Sequence, residues 1–151
     1  MGLMRDLGRG PVGVDTAIFI YFIEEHSRFL PLIEPLFREV DEGRIELITS
    51  ALTLLEVLVV PYRRGDHLLA ARYESILTRS RGVRMADISR HHLCAAAQLR
   101  AGTGLKTPDS LQLVAALAAG CTAFLTNDRE LPTVPGIPIL QLASYTRYTR
   151  S

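Results

Sequence analysis

Apolar residues fall into short runs that alternate with longer stretches of helical spacing. Val12-Gly13-Val14 is a strand pattern that stops at Asp15, and over 16–26 Ile18, Phe19, Phe22 and Ile23 recur one helical turn apart. A second helix is predicted over 30–42, with Pro31 and Pro35 near its start and Gly43 as its stop. Ile45, Leu47 and Ile48 mark the next strand, which ends at Thr49-Ser50. Ser50 is placed to cap an apolar helix that carries Glu56 and ends near Pro61. Gly65 separates it from a helix over 66–78; a strand over 83–86 and an alanine-rich helix over 89–101 follow. Thr107-Pro108 reads as a cap followed by proline at the first helical position, opening a helix that runs to Gly120. Strands over 122–125 and 137–140 complete the pattern, and no repeat or low-complexity segment is present. Residues 1–11, with three glycines and Pro11, read as a loose N-terminal leader, and 12–151 as one domain.

Short strands alternating with longer helices predict an α/β fold on a mostly parallel sheet of four to five strands flanked by helices. Right-handed crossovers place those helices on both faces, giving three layers. Ligands of such sheets bind beyond the carboxyl ends of the strands. Asp15 and Asp128 each follow a predicted strand, so both are expected on that rim.

Four carboxylates interrupt or close apolar runs: Asp15, Glu56, Asp109 and Asp128. Burying a carboxylate is costly unless something pairs it. Two held about 4 Å apart repel by roughly 4 kcal/mol at an effective dielectric near 20. Taken singly, three of them also fit bland roles. Asp15 fits a helix cap, Asp109 a first-turn residue suited to the helix dipole, and Asp128 a turn. Glu56 fits such a role less well, because Leu52, Thr53, Val59 and Val60 share its helix face. A rim of carboxylates without patterned His or Cys matches a hard cation, Mg²⁺ or Mn²⁺, and metal-assisted phosphodiester hydrolysis.

Composition adds limits. The 151 residues carry a net charge of +1, with 48% hydrophobic and 22% charged residues, as in globular domains of this size. Lys106 is the lone lysine among 17 basic residues, an arginine bias that a GC-rich genome explains without nucleic acid. Cys94 and Cys121 lack metal-ligand spacing and read as small buried hydrophobes, which suits a reducing cytoplasm. No apolar stretch has the length of a signal peptide or membrane span. Neither a nucleophile elbow nor a phosphate-binding glycine loop occurs.

The motifs Val14-Asp15-Thr16, Thr49-Ser50-Ala51-Leu52-Thr53-Leu54-Leu55-Glu56, Lys106-Thr107-Pro108-Asp109-Ser110-Leu111 and Phe124-Leu125-Thr126-Asn127-Asp128 stand in an order and spacing that resembles the PIN-domain ribonucleases. Within them the chain looks most like VapC-type toxins of bacterial toxin–antitoxin pairs, from about Val12 to Leu142. The resemblance implies a three-layer PIN-like domain in which Asp15, Glu56, Asp109 and Asp128 bind Mg²⁺ or Mn²⁺. Thr16, Thr126 and Asn127 would support that site, and Arg100 and Lys106 are candidate phosphate contacts. It implies a cytoplasmic endoribonuclease that cuts RNA, is inhibited by a cognate antitoxin, and forms a homodimer or a hetero-oligomer with it. Many relatives carry Ala where this chain has Ser110, whose hydroxyl either meets a ligand or caps the helix. Two other readings remain: a PIN-like nuclease acting on DNA or precursor RNA outside any toxin system, and a non-catalytic module whose acids hold a structural cation or a partner's arginine.

Overall fold

The residues of the central strands are buried on both faces because both faces are covered. The computed structural model describes residues 2–149. In chain order the elements are α1 (Leu3–Leu7), β1 (Val12–Val14), α2 (Thr16–Ile23), α3 (Leu30–Asp41), β2 (Leu47–Ser50), α4 (Leu52–Arg64), α5 (His67–Arg79), β3 (Val83–Ala86), α6 (Arg90–Thr103), α7 (Thr107–Ala118), β4 (Ala123–Thr126), β5 (Ile139–Gln141) and a closing 3-10 helix (Leu142–Thr149). The strands form one sheet in the order β3-β2-β1-β4-β5. Every neighbouring pair is parallel, with Val12 opposite both Leu47 and Ala123.

The pleat sorts the core into two sides. Val12, Val14, Leu47, Ala123 and Leu125 pack with Ile18, Phe19, Ile33, Leu36 and Tyr73 on one face. Ile48 and Phe124 pack with Leu113 and Ala116 of α7 on the other. This is the three-layer α/β/α arrangement expected of an alternating pattern, with a fully parallel sheet shielded from water. The chain leaves β1 toward β2 and β3, then returns to place β4 on the opposite side of β1. The order therefore reverses beside β1, and in open α/β sheets that switch point is where a crevice forms at the strand ends.

Gly13 sets how closely α7 approaches β1. A Cβ there would lie 2.6 Å from Ala116 Cβ and 2.9 Å from a Phe124 ring carbon, both in the covered core. Gly13→Ala is expected to cost about 1–3 kcal/mol through overpacking, read as a lower Tm in thermal unfolding. An unchanged Tm would mean that the α7 layer yields freely.

Several elements depart from the sequence reading. The expected loose leader is in part a helix: Leu3 and Leu7 of α1 are buried in the core. The Thr122 hydroxyl donates to Leu7 O at 2.9 Å, and Tyr145 donates to Asp6 Oδ2 at 2.6 Å. One fully buried leucine is worth about 1.5–3 kcal/mol, enough to dock a short segment. Helix α4 passes through Pro61 and ends at Arg64, where Gly65 adopts a left-handed conformation (φ 68°). Pro61 gives up its own N–H bond and crowds the carbonyl of Val57, and it is buried one turn before the helix ends. Ser50 serves α4 from one residue further out than expected, its Oγ accepting from Leu52 N at 3.2 Å. Lys106, not Thr107, is the N-cap of α7, with Pro108 still in the first turn. Cys94 is exposed, while Cys121 is buried as expected.

Candidate active site

Two of the four acids stand at the ends of adjacent central strands. Asp15 follows β1 and caps α2 through its extended backbone, and Asp128 lies two residues past the end of β4. The other two arrive on helices, Glu56 from the second turn of α4 and Asp109 from the first turn of α7. All four are partly buried at the carboxyl-end rim.

Asp15 is the most constrained. Thr126 Oγ1 donates to its Oδ2, while its Oδ1 is fully enclosed and has no hydrogen-bond partner. Burial pushes its carboxyl up from 3.8 to about 6 against the opposing Thr126 hydrogen bond, and the charge of Asp109 adds to the rise. Asp109 is raised as well, by burial first and then by the charge of Asp128, with Glu56 contributing and Lys106 opposing. Asp109 thus stands in the field of all three other acids. Glu56 Oε1 accepts the Thr16 hydroxyl at 2.5 Å. Asp128 is held by its backbone: its N–H donates to Thr126 Oγ1 at 3.0 Å, and its carbonyl accepts from Gln141 Nε2 at 2.9 Å.

Thr126 therefore touches both strand-end acids, and Thr16 touches Glu56. Asn127 is turned elsewhere, donating to the Tyr21 hydroxyl at 3.1 Å and accepting from Ala143 N at 3.1 Å, so it anchors the loop rather than facing the acids. Of the two candidate phosphate contacts, Lys106 lies close enough to Asp109 to affect its proton affinity. Arg100 instead donates Nε to Leu105 O at 2.7 Å and ties down the loop before α7. Ser110 is fully buried and donates to Thr107 O at 2.8 Å, which settles its hydroxyl as a helix-end contact.

The donor set fits a hard divalent cation: all oxygen, four negative charges, and one buried carboxylate oxygen with nothing to bind. Among the described residues, no three Asp, Glu, His or Cys side chains converge tightly enough to enclose an ion unaided. Magnesium needs only one or two direct carboxylates, because it keeps several waters.

Sequence reasoning passed over a set of neutral polar residues behind the rim. Thr49, Thr53 and Gln112 are buried and hydrogen-bonded to one another, and Thr53 reaches Thr16 at 3.1 Å. Their signal was the same as for the acids, a polar residue inside an apolar run such as Leu111-Gln112-Leu113-Val114.

A PIN domain family model matches residues 12–137. Among solved structures, VapBC2 from Rickettsia felis, bound to a DNA fragment from its promoter, aligns with a TM-score of 0.67 at 17% identity, covering 86% of this chain and 97% of that one. The sarcin–ricin-loop-cleaving toxin VapC20 of Mycobacterium tuberculosis aligns at 0.65 and 16% identity, covering 79% and 91%. The DNA-bound VapBC of Salmonella typhimurium aligns at 0.60 and 22%, covering 87% and 97%. At these identities the likeness is one of fold. No curated protein matches the chain by sequence.

Proposed function

The chain belongs to the PIN domain family, and from that premise we propose that it is a divalent-metal-dependent endoribonuclease, the toxin of a toxin–antitoxin pair. The observation that carries this reading is the enclosed, unpartnered Oδ1 of Asp15 at the switch point of the sheet, beside three further acids. Of Asp15, Asp109 and Asp128, one or two would bind Mg²⁺ or Mn²⁺ directly and the rest through its waters, with Glu56 completing the acidic rim. When bound, the cation supplies Lewis-acid stabilisation of charge on the phosphate oxygens. Thr126 keeps Asp15 oriented, and Thr16 occupies Oε1 of Glu56, leaving Oε2 to accept a proton from an attacking water. Lys106 is positioned to draw a phosphate toward Asp109.

That the similar structures include toxins and toxin–antitoxin complexes supports an RNA substrate and a cognate antitoxin. A partner has a surface to meet: Leu55, Val59 and Tyr62, spaced along one stripe of α4, are 62%, 42% and 56% exposed. The same stripe suits a second copy of the chain. Among the described residues no helix is long and apolar enough to cross a membrane.

The test is cleavage of end-labelled single-stranded RNA and DNA by the purified chain. Cleavage of RNA with Mn²⁺ or Mg²⁺, its loss in EDTA and its return on adding metal are expected. EDTA-resistant cleavage, or none with either metal, would overturn the proposal. Cleavage confined to DNA would reassign the substrate.

A further inference from the structure

We propose that Gln112 and Thr53 form a positioning brace that sets the separation of Asp109 and Glu56, and with it the geometry offered to a cation. Gln112 lies on α7 three residues after Asp109, and Thr53 lies on α4 three residues before Glu56, so each shares a helix face with its acid. Gln112 is 4% exposed and Thr53 fully buried. Gln112 Nε2 donates to Thr53 Oγ1 at 2.7 Å, joining the two acid-bearing helices directly. Its Oε1 accepts from Ser50 N at 3.0 Å and from Thr49 Oγ1 at 3.2 Å, which ties the pair to the end of β2.

The proton count gives the string a direction. Ser50 N–H can only donate, so Gln112 must face it with its carbonyl and present its amide to Thr53. Thr53, having accepted that bond, has one proton to pass to Thr49 at 2.7 Å or to Thr16 at 3.1 Å. Thr16 gives its own proton to Glu56. Thr49 has the Val14 carbonyl as an alternative acceptor at 3.0 Å. Each side-chain polar atom of the string has a partner, and with the Thr53 proton on Thr16 the string ends on a carboxylate of the rim. A buried amide that merely anchored α7 to the sheet would stop at Ser50; this one continues to Glu56. Fully satisfied buried networks of this kind rigidify what they connect.

The inference rests on the metal-site reading above, and the experiment separates the two. Mn²⁺ alone is titrated calorimetrically into the full chain, its Gln112→Met, Thr53→Val and Thr53→Ser variants, and Leu77→Ala as a core-destabilised control on α5. Amide exchange over α4 and α7 is followed in the metal-free proteins. Loss of a residue that orients a metal ligand weakens affinity by about 10–100-fold. Gln112→Met and Thr53→Val are expected to weaken Mn²⁺ binding to that extent. Thr53→Ser, which keeps the hydroxyl, should stay within about threefold of wild type, and Leu77→Ala should lower Tm without moving the affinity. Wild-type affinity in Gln112→Met and Thr53→Val, or an equal loss in Leu77→Ala, would overturn the brace. A wild type that binds no Mn²⁺ would overturn the metal reading instead. The brace is then decided by exchange: faster exchange in the first turns of α4 and α7 upholds it, and unchanged exchange removes it.

Discussion

Asp15→Asn is expected to make the metal-free protein more heat-stable at neutral pH while removing both its response to Mn²⁺ and its cleavage of RNA. In the folded chain burial lifts the Asp15 carboxyl from 3.8 to about 6. Between those values the native state holds a proton that the unfolded chain has released. Stability from this group is therefore present below about pH 4 and lost as pH rises through 6. At about 1.4 kcal/mol per pH unit, ionising Asp15 at neutral pH costs up to about 3 kcal/mol. Asparagine removes that charge but places an amide where Oδ1 is enclosed, which returns part of the gain. A net stabilisation of about 1–2 kcal/mol, or roughly 2–8 °C in Tm, is expected without metal. With Mn²⁺ the order reverses, because wild type alone gains binding stabilisation. Cleavage should fall by more than the 10–100-fold typical of losing a ligand's supporting partner. Parallel melting curves with EDTA and with Mn²⁺ check this. A variant that melts like wild type in both, or that still cleaves, would take Asp15 out of the site.

The layers of the fold were legible because the three central strands are covered on both faces. Val12-Gly13-Val14 and Ala123-Phe124-Leu125 have no polar alternation, which is how a buried parallel strand reads, and the intervening helices show their period. The acids were legible for a related reason: a charge inside an apolar run must have a cause. What escaped was cheaper to bury. Gln112 and Thr53 stand in the same kind of run as Glu56, yet a neutral amide or hydroxyl is accommodated by one or two hydrogen bonds, so its presence raises less alarm. Helix α1 escaped because five residues show no periodicity, and its order comes from Leu3 and Leu7 docking on residues distant in sequence. Arg100 is near Asp109 along the chain, and the sequence does not show that its Nε is bonded to the Leu105 carbonyl. Distances between side chains, unlike burial, are not written in hydrophobic pattern.

Mn²⁺ affinity is expected to rise about tenfold per pH unit from about pH 5 to about pH 6 and to flatten above, because the cation needs ionised carboxylates and must displace the proton held by Asp15. Asp109 is also raised, by its burial and by Asp128, so a second displaced proton should steepen the slope toward the acid end. Lys106 works against that second proton, and Lys106→Ala should steepen the slope further. Cleavage below saturating metal should follow the same profile. The sign is opposite to that of metal-free stability, which falls over this range as Asp15 ionises; the Tm gain on adding Mn²⁺ should therefore be smallest in acid and largest at neutral pH. Asp15→Asn, having lost its response to Mn²⁺, should show no such profile. An affinity that does not change between about pH 5 and 7 would mean that Asp15 is ionised throughout, and would overturn the reading that burial holds a proton on it in the metal-free chain.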